Sequence, residues 1–159
     1  MYYINKIVGF LVSPIGGAIA GCVIAVFCAR LGRKRMTKWI GGLMSVRKIA
    51  YGVHAYLANG YLEKVYENCL RHRLEQVGHR VAAQKNLKVY DEDGYEIGDY
   101  FADLIVDEKV IVELKTVKAL SSEHYAQVLN YLKITGLRYA LLINFGSYRF
   151  EIRTIVSNF

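Results

Sequence analysis

The sequence lacks the spacing patterns that mark several common kinds of protein. Its three cysteines, Cys22, Cys28 and Cys69, show no paired spacing, which argues against a disulfide framework and suits a reducing compartment. No internal repeat or low-complexity tract is visible. The acidic run 91–93 has neither the alternating ligands nor the terminal Glu of a calcium loop, so we interpret it, with Gly94, as a solvated turn.

Acidic residues are absent from the first 44 residues, which hold six basic ones. Residues 45–159 hold 15 basic and 14 acidic residues, so their net charge is only +1. The total charge of +7 therefore belongs to the N-terminal segment. The high isoelectric point does not indicate a nucleic-acid-binding surface on the rest of the chain, where any such contact needs a local basic patch.

Charge of either sign is also missing from residues 7–29, a run of 23 residues. A helix of that length spans a bilayer. Lys6 precedes the run and five basic residues follow it between Arg30 and Lys38, so the positive-inside rule places the C-terminal part in the cytoplasm. The alternative is a hydrophobic hairpin or a packed core segment, because Pro14 and the glycines near it could break the helix.

Two short motifs lie inside this run. Gly17 and Gly21 have the spacing that lets two membrane helices approach closely, which makes a homodimer one expectation. Residues 19–22 resemble a bacterial lipobox ending in Cys22, but apolar residues and a basic cluster follow, as in a stop-transfer anchor. The chain then divides into a membrane anchor (1–29), a basic juxtamembrane linker (30–44) with Trp39 at headgroup level, and one domain (45–159).

That domain is organised around residues 103–115, which predict a β-hairpin with a three-residue loop centred on Glu108. Paired positions then sum to 216, so Asp103 faces Glu113, and Lys115 shares their face of the sheet. The other face is apolar and must be core: Leu104, Val106, Val110, Val112 and Leu114. A slip of one residue would bury the charges, so the register is well specified.

Two carboxylates directly opposite each other repel, and a hairpin selected for stability alone would avoid that pair. A divalent cation bridging Asp103 and Glu113 removes the repulsion, and hard oxygen ligands suit Mg²⁺ or Mn²⁺. Lys115 could orient or deprotonate a water, or neutralise charge that develops on a phosphate. The alternative is a solvated sheet face on which Glu113 and Lys115 only balance charge.

The spacing Asp-x9-Glu-x-Lys resembles the core of the PD-(D/E)XK phosphodiesterase superfamily. Residues 60–66 match the signature of its GxxExxY branch, and residues 127–131 match the QxxxY motif of nuclease domains in recombination enzymes. The resemblance covers roughly residues 45–156, in the order of the family. Ala102 is a departure, since the motif that names the family has Pro before the Asp.

This resemblance implies further site residues. Glu63 would join the metal site from the first helix of the domain, although a carboxylate in a first helical turn also stabilises the helix dipole. Gln127 and Tyr131 would lean over the site and contact the substrate phosphate or the lysine; the alternative is an ordinary amphipathic helix. His124 lies on the same face of that helix, whereas Tyr66 is expected to pack against the sheet.

The remaining periodicities predict the order helix, helix, three strands, helix, two strands. The predicted ranges are 46–58, 62–77, 81–90, 95–106, 110–115, 121–135, 139–144 and 149–156. This order is that of an α/β sandwich with a mixed central sheet flanked by helices, compatible with the restriction-endonuclease-like fold.

We therefore expect a membrane-anchored phosphodiesterase that depends on Mg²⁺ or Mn²⁺ and acts on nucleic acid, with DNA favoured over RNA. Asp103 and Glu113 would bind the metal with help from Glu63. A non-catalytic membrane-tethered scaffold that reuses the fold is the alternative, because the domain has so little net positive charge. A hydrolase of small nucleotides or other phosphate esters is a third interpretation.

Overall fold

The structure is a computed structural model, and it describes residues 41–158. The predicted membrane anchor and most of the predicted linker lie outside these residues. Within them, no helix combines the length and the apolar character needed to cross a bilayer.

The described chain has three helices and five strands in the predicted order. Helix α1 covers residues 41–57 of the described part, so it begins earlier than the predicted residue 46 and lies partly within the predicted linker. The other elements agree with their predicted bounds to within two residues: α2 (Glu63–Gln76), β1 (Val81–Tyr90), β2 (Glu96–Val106), β3 (Val110–Lys115), α3 (Ser122–Thr135), β4 (Tyr139–Asn144) and β5 (Glu151–Val156).

The five strands form one mixed sheet in the order β1-β2-β3-β4-β5. Sequential neighbours are antiparallel, except that β3 and β4 run parallel and are joined by α3 as a crossover. The apolar runs of β3 and β4 are buried along almost their whole length, as expected for strands covered on both faces. The predicted α/β sandwich is thus confirmed for this part of the chain.

Helices cover both faces of the sheet. The face predicted to be apolar is buried at every hairpin position from Leu104 to Leu114 that points to it, and α2 contacts β1, β2 and β3. The α3 face is a second apolar layer formed by strands and helix together: Leu87, Ala102, Ile105, Ile111, Val128, Tyr131, Leu132, Ala140 and Leu142. In β3 and β4, Glu113, Lys115 and Asn144 therefore lie near the C-terminal ends of otherwise buried apolar strands.

The turn end of the β2–β3 hairpin is tied down by charged and polar contacts. The three-residue loop is confirmed, with Val106 paired to Val110. Asp107 accepts a hydrogen bond from the Arg80 backbone N–H (3.0 Å) and lies 2.9 Å from His79 Nδ1, whose Nε2 is 2.8 Å from Ser45 Oγ. His79, which follows no ligand pattern in the sequence, thus links α1, the α2–β1 loop and the hairpin.

Candidate active site

The site lies at the opposite end of this hairpin, where β2 parts from β3. The β2–β3 ladder pairs residues 104–106 with residues 110–112 in the predicted register, in which the numbers of paired residues sum to 216. The predicted pair of Asp103 and Glu113 does not continue it. Instead, Asp103 Oδ2 accepts a hydrogen bond from the Leu114 backbone N–H at 2.8 Å, so the side chain occupies the place of the next backbone contact.

The alternation of β2 also changes at Asp103. Ala102 and Ile105 belong to the same apolar cluster although they are three residues apart, which strict alternation would place on opposite faces. The β1–β2 ladder omits the pair formed by Gln84 and Asp103, and Gln84 has a φ of 49°. A non-glycine residue in the left-handed region within a strand is strained, and such strain concentrates at functional sites.

Glu113 is the most deeply buried acid of the site, with 2 % of its surface exposed. Lys115 Nζ donates to its Oε1 at 2.6 Å, whereas Oε2 is buried and has no hydrogen-bond partner among the described residues. Burial and the neighbouring Asp103 raise the pKa of Glu113 to about 7, and the ion pair with Lys115 only partly offsets them. This carboxylate therefore lacks part of the positive charge that would stabilise it.

Asp103 is held by two donors but keeps the capacity to bind more. Its Oδ1 accepts from Gln84 Nε2 at 3.2 Å, in addition to the backbone contact of Oδ2. Each carboxylate oxygen has two lone pairs, so both oxygens can still accept a further partner. Burial raises the pKa of Asp103, and Glu67 adds to this, whereas the Leu114 hydrogen bond and the charge of Lys115 lower it.

Glu63 is placed beside the site by the start of α2. Burial and the charge of Asp103 raise its pKa, while Lys115 and a hydrogen bond from the Thr116 backbone lower it. Gly60, with a φ of 120°, turns the chain just before this helix in a conformation that favours glycine. The first-turn carboxylate is therefore within electrostatic reach of the predicted site residues.

Tyr66, the last residue of the motif at residues 60–66, has a structural role. It is fully buried, and its ring stacks on Phe145 with centroids 4.6 Å apart. Its hydroxyl donates to the Ala58 carbonyl at 2.8 Å and accepts from the Tyr61 N–H at 3.2 Å. As predicted, Tyr66 packs against other residues, and it fixes the loop that leads into Glu63.

Two residues of the site were missed in the sequence. Glu67 is 3 % exposed, accepts from Lys64 Nζ at 2.6 Å and accepts from Gln84 Nε2 at 2.8 Å. The amide of Gln84 thereby joins Glu67 to Asp103. Glu67 follows Glu63 by four residues, which places both on one helix face. The hairpin turn near Gly94 does not reveal the alignment of Gln84 with Asp103, because the register shifts between Val89 and Tyr90.

Gln127 and Tyr131 lie on the α3 side of the site. Gln127 Nε2 donates to the Tyr131 hydroxyl at 2.5 Å, and that hydroxyl donates to the Phe101 carbonyl at 3.1 Å. Burial and the charges of Glu113 and Asp103 raise the pKa of Tyr131 to about 12, so its hydroxyl stays a donor at neutral pH. The two side chains bond to each other and to β2.

His124 occupies the first turn of α3. Its Nδ1 accepts from the Ser121 backbone N–H at 3.0 Å, which caps the helix at the residue predicted to begin it. This contact accounts for the side chain without a role in the site.

The segment after Lys115 is fixed by the end of β4. The Asn144 side-chain oxygen accepts from the Val117 N–H at 3.2 Å and the Gly146 N–H at 3.0 Å. A Cβ on Gly146 would lie 2.4 Å from the Thr116 carbonyl carbon, so only glycine fits. No pattern in the sequence pointed to Asn144 or Gly146, because both contacts depend on the parallel pairing of β3 with β4.

The carboxylate oxygens of Asp103 and Glu113 are suitable ligands for a divalent ion. Glu113 Oε2 is a buried oxygen without a donor, and Asp103 has spare lone pairs beside it. Among residues 41–158, however, no three His, Cys, Asp or Glu side chains converge closely enough to hold an ion. The predicted third ligand, Glu63, is thus not grouped with the other two at ligand spacing. Mg²⁺ is commonly held by one or two carboxylates plus waters and substrate phosphates.

A cavity of about 780 Å³ lies away from these carboxylates, between β1 and the C-terminal end of α3. Arg80, Lys85 and Lys88 line it together with apolar residues, and none of the predicted site residues does. The carboxylate site is therefore separate from this cavity.

Comparison with known proteins agrees with the geometry. A family model described as the PD-(D/E)XK nuclease superfamily matches residues 43–155, which include every predicted site residue. No curated protein and no solved structure matches the chain. Members of the matched superfamily generally use divalent metal ions. On the strength of the matched range, together with the Asp103, Glu113 and Lys115 set at the parting of two strands, the chain belongs to the PD-(D/E)XK nuclease superfamily.

Proposed function

We propose that the protein is a nuclease that hydrolyses phosphodiester bonds of nucleic acid with Mg²⁺ or Mn²⁺. The observation that carries this proposal is the buried Glu113 carboxylate, with an unpartnered oxygen next to Asp103 and an ion pair to Lys115. A cluster of like charges is costly unless a cation joins it. The superfamily supports the same conclusion, because its members are nucleases.

Asp103 and Glu113 would hold the ion, and Glu63 would act through water or the substrate. When bound, the ion supplies Lewis acidity toward the phosphate and acidifies a bound water. Lys115 lies on Glu113, where it can steer the attacking water or neutralise charge that develops on the phosphate. Gln127 and Tyr131, which bond to each other on the α3 side, would position the scissile phosphate.

We also propose that residues 7–29 anchor the protein in a membrane with the nuclease domain in the cytoplasm. The uncharged run and its basic C-terminal flank support this arrangement. Association of two chains through Gly17 and Gly21 is part of the same proposal. Alkaline washing of isolated membranes tests the anchor: an integral protein stays with the pellet, and release into the wash contradicts the proposal.

One observation favours a second function, a non-catalytic scaffold. The domain holds 15 basic and 14 acidic residues, whereas a polymer of phosphates is usually bound by a basic surface. The retained carboxylates argue against this alternative, because a scaffold gains nothing from an acid as poorly stabilised as Glu113. GxxExxY membership is likewise a proposal, supported by the roles of Gly60, Glu63 and Tyr66.

Cleavage of labelled DNA and RNA by the full-length protein with Mg²⁺ or Mn²⁺ tests the enzyme. We expect products that disappear with EDTA and with Lys115→Met, which keeps most of the length of the side chain and removes its charge. Equal cleavage by wild type and Lys115→Met would indicate a contaminating nuclease. A folded protein that binds Mn²⁺ but cleaves neither polymer, while it hydrolyses a small phosphodiester, would support the small-substrate alternative.

A further inference from the structure

Large apolar side chains are exposed directly beside the carboxylates. Tyr100 and Phe101, which precede Asp103 in β2, are 40 % and 50 % exposed. Tyr61 and Leu62, which precede Glu63, are exposed as well. The segments that carry Asp103 and Glu63 thus each have an exposed aromatic residue just before the acid. Contiguous exposed apolar groups next to a polar site usually mark a binding surface.

These aromatic residues are held in place. Tyr100 packs edge-on against Tyr131, with ring centroids 5.8 Å apart, and the Phe101 carbonyl accepts the Tyr131 hydrogen bond. Successive residues of a strand point to opposite faces, so Tyr100 and Phe101 present rings on the two sides of β2. Because the Tyr100 ring is already held by Tyr131, it loses little conformational entropy when a planar group stacks on it.

Three charged side chains of the β1–β2 arm have partners within it. Asn86 donates to Asp99 at 2.8 Å, and Lys88 forms an ion pair with Glu96 at 2.6 Å. Together with the net charge of +1 for residues 45–159, this leaves the surface beside the site with little to offer a duplex backbone. The binding free energy of a nucleic acid on this surface therefore has to come mostly from apolar contacts.

We infer that Tyr100, on the side of β2 that faces Tyr131, forms a stacking platform for unpaired bases, and that the substrate is single-stranded or locally unpaired nucleic acid. Bases in a duplex hide their faces in the stack, whereas unpaired bases stack on aromatic side chains without regard to sequence. The inference rests on the proposed nuclease function, because the platform leads into the site through Asp103.

The test is binding of the full-length protein to a fluorescent single strand of about 16 nucleotides and to the matching duplex, in EDTA to prevent hydrolysis. We expect the single strand to bind at least about 10-fold more tightly and Tyr100→Ala to weaken its binding roughly 5- to 100-fold, whereas Phe101→Ala, on the opposite side of β2, should weaken it far less. Tyr100→Trp, which keeps an aromatic face, restores binding. Tyr95→Ala is the matched control: Tyr95 is 70 % exposed near the distant turn of the same arm, and its loss leaves affinity unchanged.

Equal affinity for strand and duplex, or equal effects of Tyr95→Ala and Tyr100→Ala, would overturn the platform. So would sedimentation showing that Tyr100→Ala converts a dimer to a monomer, because the rings would then serve a second copy of the chain. Cleavage with metal separates the two proposals. Duplex cleavage at the single-strand rate refutes only the platform, whereas absence of cleavage together with absence of binding refutes the nuclease as well.

Discussion

The two ends of the β2–β3 hairpin treat their acids in opposite ways. At the turn end, Asp107 has His79 and a backbone N–H as partners, and although burial acts against it, these contacts lower its pKa. At the open end, burial and a neighbouring acid raise the pKa of Glu113 to about 7, and one of its oxygens has no partner. The contacts at the turn end stabilise the charged form of Asp107. At the open end the charged form of Glu113 is destabilised, and a bound cation would stabilise it.

The contrast indicates that the open end of the hairpin is the functional end, because its acids lack the partners that stabilise Asp107 at the turn end. Strained groups persist only where surrounding structure holds them. Here the apolar faces of β3 and β4 provide that support, while Gln84, with its left-handed backbone, places one amide between two acids.

Neutralising an acid at each end gives the largest difference in activity. Asp103→Asn should reduce nuclease activity by roughly 100-fold or more, because a charged ligand of the ion is lost. The same change should not destabilise the metal-free protein appreciably, since it also removes repulsion. Asp107→Asn should leave activity intact and lower the free energy of unfolding by about 1 kcal/mol, as a charge-assisted hydrogen bond is weakened. Cleavage rates and urea melts check both, and a matching activity loss in Asp107→Asn would contradict the contrast.

Removing the amide that separates two acids gives the next effect. Gln84→Ala leaves Glu67 and Asp103 without their shared donor, so we expect about 10-fold lower activity and a loss of roughly 1–3 kcal/mol in stability. Lys85→Ala, at the adjacent position of β1 and facing the separate cavity, is the control and should change neither quantity appreciably. If Gln84→Ala changes activity and stability no more than Lys85→Ala does, the hydrogen bonds from Gln84 to Glu67 and Asp103 have no function.

The pH dependence of stability should have opposite signs at the two ends. The pKa of Glu113 is raised from 4.5 to about 7, so the folded state holds its proton longer and stability is lost as pH rises through that window. The pKa of Asp107 is lowered from 3.8, so its contribution is present above pH 3.8 and is lost as pH falls below it. Urea unfolding in EDTA across pH measures both. Glu113→Gln should flatten the upper window alone, and an unchanged profile would refute the raised pKa.

The smallest effect is expected at the loop before α2. Tyr66→Phe keeps the ring stacked on Phe145 but loses the hydroxyl contacts to the loop, which should cost about 1 kcal/mol of stability. Activity should fall only a few-fold, because Glu63 becomes less well positioned. Tyr56→Phe, at an exposed tyrosine of α1, serves as the control. Loss of activity comparable to Asp103→Asn would mean that Tyr66 acts in chemistry.

The strands and the register of the β2–β3 hairpin near its turn followed from the sequence, because alternation and turn signals are local. The hairpin arithmetic correctly paired Leu104 with Val112. It failed one step later, at Asp103, because a side chain can replace a ladder contact only where β1 distorts at Gln84. Asn144 and Glu67 were missed for a related reason: their partners come from other elements, and no local pattern encodes contacts between distant segments.

Calorimetric titration of Mn²⁺ into the full-length protein, beside Asp103→Asn and Asp107→Asn, shows whether the open end of the hairpin binds the metal. We expect saturable binding in the wild type and in Asp107→Asn, and its loss in Asp103→Asn. Binding that survives Asp103→Asn, or that disappears equally in both variants, would contradict the claim that the open end of the hairpin is the metal site.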